Sequence, residues 1–292
     1  MSKEPYESKT KKNADKAEYK SKEEYLYLVD SAFDIFNQQM DTDYSQENIE
    51  VRLITAETAD AEIRDFLKGY PEACEPQMFE PGYCRLIRAE AFVTPERSGI
   101  IARTDLEEKG LLWRHILLHE ICHVFCTTHE LPEGEMFYDK YCEGYAKTTE
   151  EDGVINSGYA IWREFIAEFL ADILDVDLQE NTLQQNKPYI KAALDEIADG
   201  TLRNKECVLE VLCLVFCSRD ILGLKSREKV FEKIGKIDRL SSFHWQALLN
   251  IVYDQLHDPG HEIYEIDLGF IKRLGDEYLF IWEDAMRAAM EA

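Results

Sequence analysis

His119, Glu120 and His123 form an H-E-x-x-H pentad inside Ile116 to Phe125, a run that is otherwise Leu, Ile, Val, Phe and Cys, and any fold of this chain must find partners for those three groups. A carboxylate and two imidazoles in apolar surroundings are costly unless each is paired, hydrogen-bonded or bound to an ion. No proline falls between Gly110 and Phe125, and outside the pentad only Arg114 and His115 interrupt the apolar pattern. The segment therefore reads as a helix buried on most sides. Residues four apart stack on one helix face, so His119 and His123 can offer two nitrogens to one metal while Glu120 projects beside it as a base. Each histidine could instead be a satisfied core residue, but one divalent cation such as Zn2+ satisfies all three groups at once.

His115 stands one turn before His119. The ladder 115, 119, 123 cannot ligate one ion, because its ends are about 12 Å apart at the helical rise, so His115 reads as a structural or supporting residue. A catalytic zinc site needs a third protein donor and an open position for water. The first candidate is Glu164, in a second apolar segment, Gly158 to Asp172, that carries acids at Glu164, Glu168 and Asp172. Three carboxylates one turn apart repel each other; the ladder makes sense if the first binds metal and the next orients a ligating imidazole. The second candidate is His129, which has the histidine spacing of the extended metzincin pattern, although Cys126 stands where that pattern turns the chain on glycine. Glu168 ranks third.

The chain of 292 residues carries 33 Lys and Arg against 58 Asp and Glu, a formal charge of -25. Such a surface repels a phosphate backbone, so nucleic acid is not expected as a direct partner; an acidic face that imitates DNA is the one exception. Met1 to Glu24 is rich in Lys and Glu and lacks the apolar core of a signal peptide. Cys207 to Cys217, the most apolar later stretch, is too short to span a bilayer and contains Glu210. Eight cysteines include no C-x-x-C pair, and Cys122 with Cys126 and Cys213 with Cys217 read as free thiols packed in helices. No membrane association and a cytoplasmic location are expected.

Apolar spacing predicts a helix over 22–40, a strand over 49–55 and a helix over 58–68, then a loop to Pro81. Strands are expected over 83–94 and 99–103, joined by a turn at Pro95 to Gly99, with Gly99 to Arg103 as the exposed sheet edge that could hold an extended peptide. His129 to Ser157, polar and rich in Gly, Glu and Thr, reads as a long loop. Helices follow at about 158–175, 181–199, 203–221, 226–235, 240–256 and 267–291. Lys225 to Arg239 is a local basic patch that reads as a solvated helix face, and Trp245 and Trp282 read as core residues.

His119-Glu120-x-x-His123 on one helix and Glu164-x-x-Ala167 on a later one resemble the gluzincin metallopeptidases. The second segment also resembles the Glu-x-x-Ala-Asn helix of ImmA/IrrE-type peptidases, with Glu168 where Asn is usual. The resemblance covers about Gly99 to Asp172. It implies an α+β, zincin-like fold in which a small sheet packs on the motif helix, with a metallopeptidase core at 22–178, while composition makes 1–21 a disordered tail and apolar spacing makes 179–292 a helical region that can belong to the same domain. It further implies zinc held by His119, His123 and Glu164, and peptide-bond hydrolysis of a peptide or protein substrate by a metal-activated water with Glu120 as general base. The alternative is a metal-stabilised interaction or regulatory protein of a mobile element that keeps the helix without turnover.

Overall fold

The computed structural model describes residues 21–291 apart from short stretches at 74–75, 81, 84–86, 108–109, 130, 133, 143–147, 176–180, 201–202, 225, 259 and 261. The tail expected over 1–21 lies outside the described residues except for Ser21. The class is α+β, and the chain divides into two packed units. The first holds the described residues up to Thr128 and the end of one later helix from Leu170; the second holds the remainder.

The first unit begins with α1 (Lys22–Met40), where expected. Its start is set by a capping box: Ser21 Oγ accepts from the Glu24 amide while Glu24 accepts from the Ser21 amide. Tyr25, Leu28, Val29, Ala32, Phe33 and Phe36 form its buried stripe. Three strands, β1 (Ile49–Ile54), β2 (Ala89–Val93) and β3 (Ser98–Arg103), make a sheet in the order β1-β3-β2. β1 runs parallel to β3 and β2 antiparallel to it. A parallel neighbour needs a crossover, which the chain makes through α2 (Ala59–Leu67) before β2. Ile63, Phe66 and Leu67 of α2 pack with Ile54, Phe92 and Ile101 of the sheet.

Gly99 to Arg103 is therefore the centre of the sheet and not its edge. Ile100, Ile101 and Ala102 are all buried, and a continuous apolar run of that kind belongs to a strand covered on both faces. Position 99 also requires glycine, because a Cβ there would lie 2.2 Å from the Tyr70 hydroxyl oxygen. The second strand is shorter than the expected 83–94, and residues 84–86 lie outside the description.

The motif helix α3 (Leu111–His129) packs on this unit through three contacts. Trp113 donates from its indole nitrogen to the Arg103 carbonyl at the end of β3, at 2.6 Å. The Tyr25 ring meets Trp113 edge-on, and its hydroxyl donates to the Thr104 carbonyl. At the other end Phe125 packs edge-on against Phe36 of α1.

The second unit is helical among its described residues. The loop expected over 129–157 is instead α4 (Gly134–Cys142) followed by the first turns of α5 (Thr149–Leu174). Glu150, Glu151 and Asp152 look like loop residues by polarity but sit in the first turn of α5, where acids complement the helix dipole. Then come α6 (Leu183–Ala198), α7 (Asn204–Phe216), the short α8 (Arg219–Leu222), α9 (Arg227–Ile234), α10 (Phe243–His257) and α11 (Leu268–Glu291). The single helix expected over 203–221 breaks at Cys217 and Ser218, whose hydroxyl turns back to the Leu214 carbonyl. Trp245 is buried as expected, whereas Trp282 is 40% exposed and is not a core residue. No helix among the described residues is long and apolar enough to cross a membrane.

Within this unit α5 and α11 cross at two glycines. A Cβ on Gly158 would lie 2.1 Å from the Ile271 carbonyl oxygen, and one on Gly275 would lie 2.1 Å from that of Val154. Trp162 of α5 packs edge-on against Phe270 of α11 beside this crossing, with ring centroids 4.7 Å apart. Gly158→Ala and Gly275→Ala should each destabilise the fold by about 1–3 kcal/mol, the usual scale for overpacking, read as a lowered midpoint in chemical denaturation. Gly153→Ala, where a Cβ meets nothing within 4 Å, should not.

Candidate metal centre

Thirteen of the nineteen residues of α3 are buried, Glu120 and His123 among them, so the helix is enclosed on nearly every side. His119 is partly exposed. The His119 and His123 rings lie at 78° to each other with Nε2 atoms 3.0 Å apart. The i, i+4 spacing turns both imidazoles toward one point, as the sequence predicted. At a Zn–N length of about 2.05 Å that separation subtends an angle of about 95°, and widening it by about 0.3 Å reaches the tetrahedral angle. The nitrogens fit a cation without rebuilding the helix.

α5 is unbroken, so Glu164, Glu168 and Asp172 share one face a turn apart. Its last residues belong to the first unit and meet the start of α3 there. Arg114 donates to Asp175 Oδ1 at 2.6 Å, both side chains nearly enclosed, and His115 Nε2 lies 3.7 Å from Asp172 Oδ1. Within the first unit the His119 and His123 imidazoles converge and His115 lies beside Asp172, whereas Glu164 and Glu168 belong to the part of α5 that lies in the second unit. Arg163 donates from Nη2 to Glu164 Oε1 at 3.2 Å.

The chain does not turn at Cys126, which is buried in a continuous helix, and His129 is the last residue of α3. Six residues beyond His123 on a helix put it about 9 Å further along the axis and about 120° around. Its ring lies 6.0 Å from that of Tyr264. Thr128 returns its hydroxyl to the Val124 and Phe125 carbonyls at this end of α3, with Tyr44 beside it at 3.4 Å. Burial pushes the Tyr44 phenol above its ordinary range.

The Tyr159 hydroxyl donates to the Pro132 carbonyl and that of Tyr138 to Asn156 Oδ1. Sequence reasoning missed Asp175. The available signal was Arg114, a permanent cation in an apolar run, which demands a carboxylate partner. A polar hollow of about 300 Å³ near the start of β1, beside Tyr70 and Arg97, contains no residue of α3 or α5.

No family model matches the chain, and no curated protein or solved structure matches it significantly.

Breaking a buried ion pair strands one charge, at a cost of about 3–5 kcal/mol. Arg114→Met and Asp175→Asn should each lower unfolding free energy on that scale, whereas the double variant should recover much of the loss. Urea denaturation of the four proteins measures the coupling.

Proposed function

We propose that the chain is a zinc-dependent metallopeptidase with a zincin-like arrangement of small sheet and motif helix. In this reading His119, His123 and Glu164 hold the cation, and Glu120 is the general base. The observation that carries it is the 3.0 Å approach of the two imidazole Nε2 atoms on α3, and Glu164, the first acid of the α5 series, is taken as the third donor. Two imidazoles and one carboxylate are the donor set of a hydrolytic zinc site that leaves a fourth position for water.

When bound, the cation would supply Lewis acidity, bringing the pKa of a coordinated water toward about 7 and polarising a scissile carbonyl. Glu120 follows His119 directly on α3 and is buried beside the imidazole pair, which keeps bulk water from its carboxylate. It would take a proton from the attacking water and return it to the departing amine, the two proton transfers that a general base and then acid must make. Arg163 would contribute positive charge near the developing oxyanion, since its guanidinium already lies against Glu164. The enclosed faces of α3 hold the donors in fixed rotamers, so little reorganisation remains at the moment of reaction.

Glu120→Gln should leave bound zinc unchanged while lowering the cleavage rate of a fluorescent peptide library by about 100-fold or more. Glu164→Ala should lose the ion, and His129→Ala should keep it. Elemental analysis of the purified variants reads both. Cleavage that survives Glu120→Gln, or an ion that depends on His129 and not on Glu164, would overturn the assignment.

A further inference from the structure

We infer that the polar hollow of the first unit, between the start of β1 and the turn joining β2 to β3, binds a small zwitterion, a free α-amino acid or a dipeptide. Arg97 takes its carboxylate and Glu47 its ammonium group. Every residue that lines the hollow falls between positions 46 and 98, within that one unit, so the inference does not depend on the peptidase reading.

The cation is held in place. Thr94 pins the backbone of Arg97 within the turn, its amide and its hydroxyl both donating to the Arg97 carbonyl, at 2.9 and 3.2 Å. The guanidinium carbon lies 4.8 Å from the centroid of the Tyr70 ring. Tyr70 is a fixed platform, buried and donating from its hydroxyl to the Ser98 carbonyl at 3.1 Å. The guanidinium also abuts Gly69, where a Cβ would lie 2.8 Å from Nη2. It makes no hydrogen bond or ion pair among the described residues. Five donors are thus positioned with their bonding capacity open, and a stacked planar guanidinium matches a carboxylate through two parallel bonds.

The acid stands on a fastened segment. Asn37 Oδ1 accepts from the Thr42 hydroxyl and the Tyr44 amide, and Asn48 Oδ1 accepts from the Ser45 amide. Of the two acids lining the hollow, Glu50 is engaged by Arg52 at 2.6 Å, whereas the Glu47 carboxylate has no partner among the described residues. A cation and an acid that line one space without pairing complement a ligand that carries one charge of each sign. A net anion such as phosphate would meet both acids and a chain of formal charge -25, which a neutral zwitterion does not. The volume, about 300 Å³, lies at the lower end of ligand pockets and limits the occupant to one or two residues.

The test screens the full chain against the twenty free L-amino acids and glycylglycine by saturation-transfer NMR, then measures the strongest binder, its amide and its N-acetyl derivative by calorimetry. The free zwitterion should bind. Amidation, acetylation, Arg97→Gln and Glu47→Gln should each weaken binding by about 10-fold or more, the scale of one charge-assisted hydrogen bond. Gly69→Ala should weaken it too, because the added methyl displaces the end of a flexible side chain and leaves the fold intact, which an unchanged denaturation midpoint checks. Binding unchanged in Arg97→Gln or Gly69→Ala, equal affinity for the blocked derivatives, or no binding of any probe would overturn the site. None of these outcomes touches the assignment of zinc to α3.

Discussion

Compensation of charge inside α3 is the constraint on which the site depends. A helix this enclosed could have been wholly apolar, yet it carries Arg114, His115, His119, Glu120 and His123 on successive turns. Arg114 is answered by Asp175, with both side chains nearly inaccessible. A buried ion pair of this kind adds little net stability, because desolvation offsets most of the attraction. Its effect is directional: sliding or rotating either helix strands a charge, so the pair pins the end of α5 against the start of α3. His115 and Asp172 meet in the same region.

Features set by local periodicity were legible in the sequence, and features set by distant pairing were not. The limits of α1 could be read from its apolar stripe and from Ser21 with Glu24, because a helix cap is a local event. The convergence of His119 and His123 followed from the i, i+4 rule alone. Sheet order did not follow, because a strand's pattern says which faces are covered but not which neighbour pairs with it. The apolar run at Ile100 to Ala102 held the clue that β3 is central. The misread segment over 129–157 failed for another reason: acids in a first helical turn and acids in a loop have the same composition. Asp175 was hidden because its partner lies 61 positions away in the chain.

Helix continuity bears on the choice between Glu164 and His129, a question that spacing alone leaves open. Both residues lie at plausible distances in sequence, and the histidine series 119, 123, 129 has a precedent only where the chain turns sharply after the second ligand. Cys126 cannot supply that turn without strain, and the helix runs straight through it to His129. Each further residue rotates the side chain by about 100°, so His129 leaves the face that His119 and His123 share. The acids of α5 repeat every four residues, the same step as the histidines of α3, so two ladders of equal pitch can meet at more than one rung. Asp172 beside His115 is one such rung. Under the proposed reading, a third donor on a separate helix would couple ion binding to helix packing. Two imidazoles on a single turn are preformed by local structure, and only the carboxylate must be brought to them.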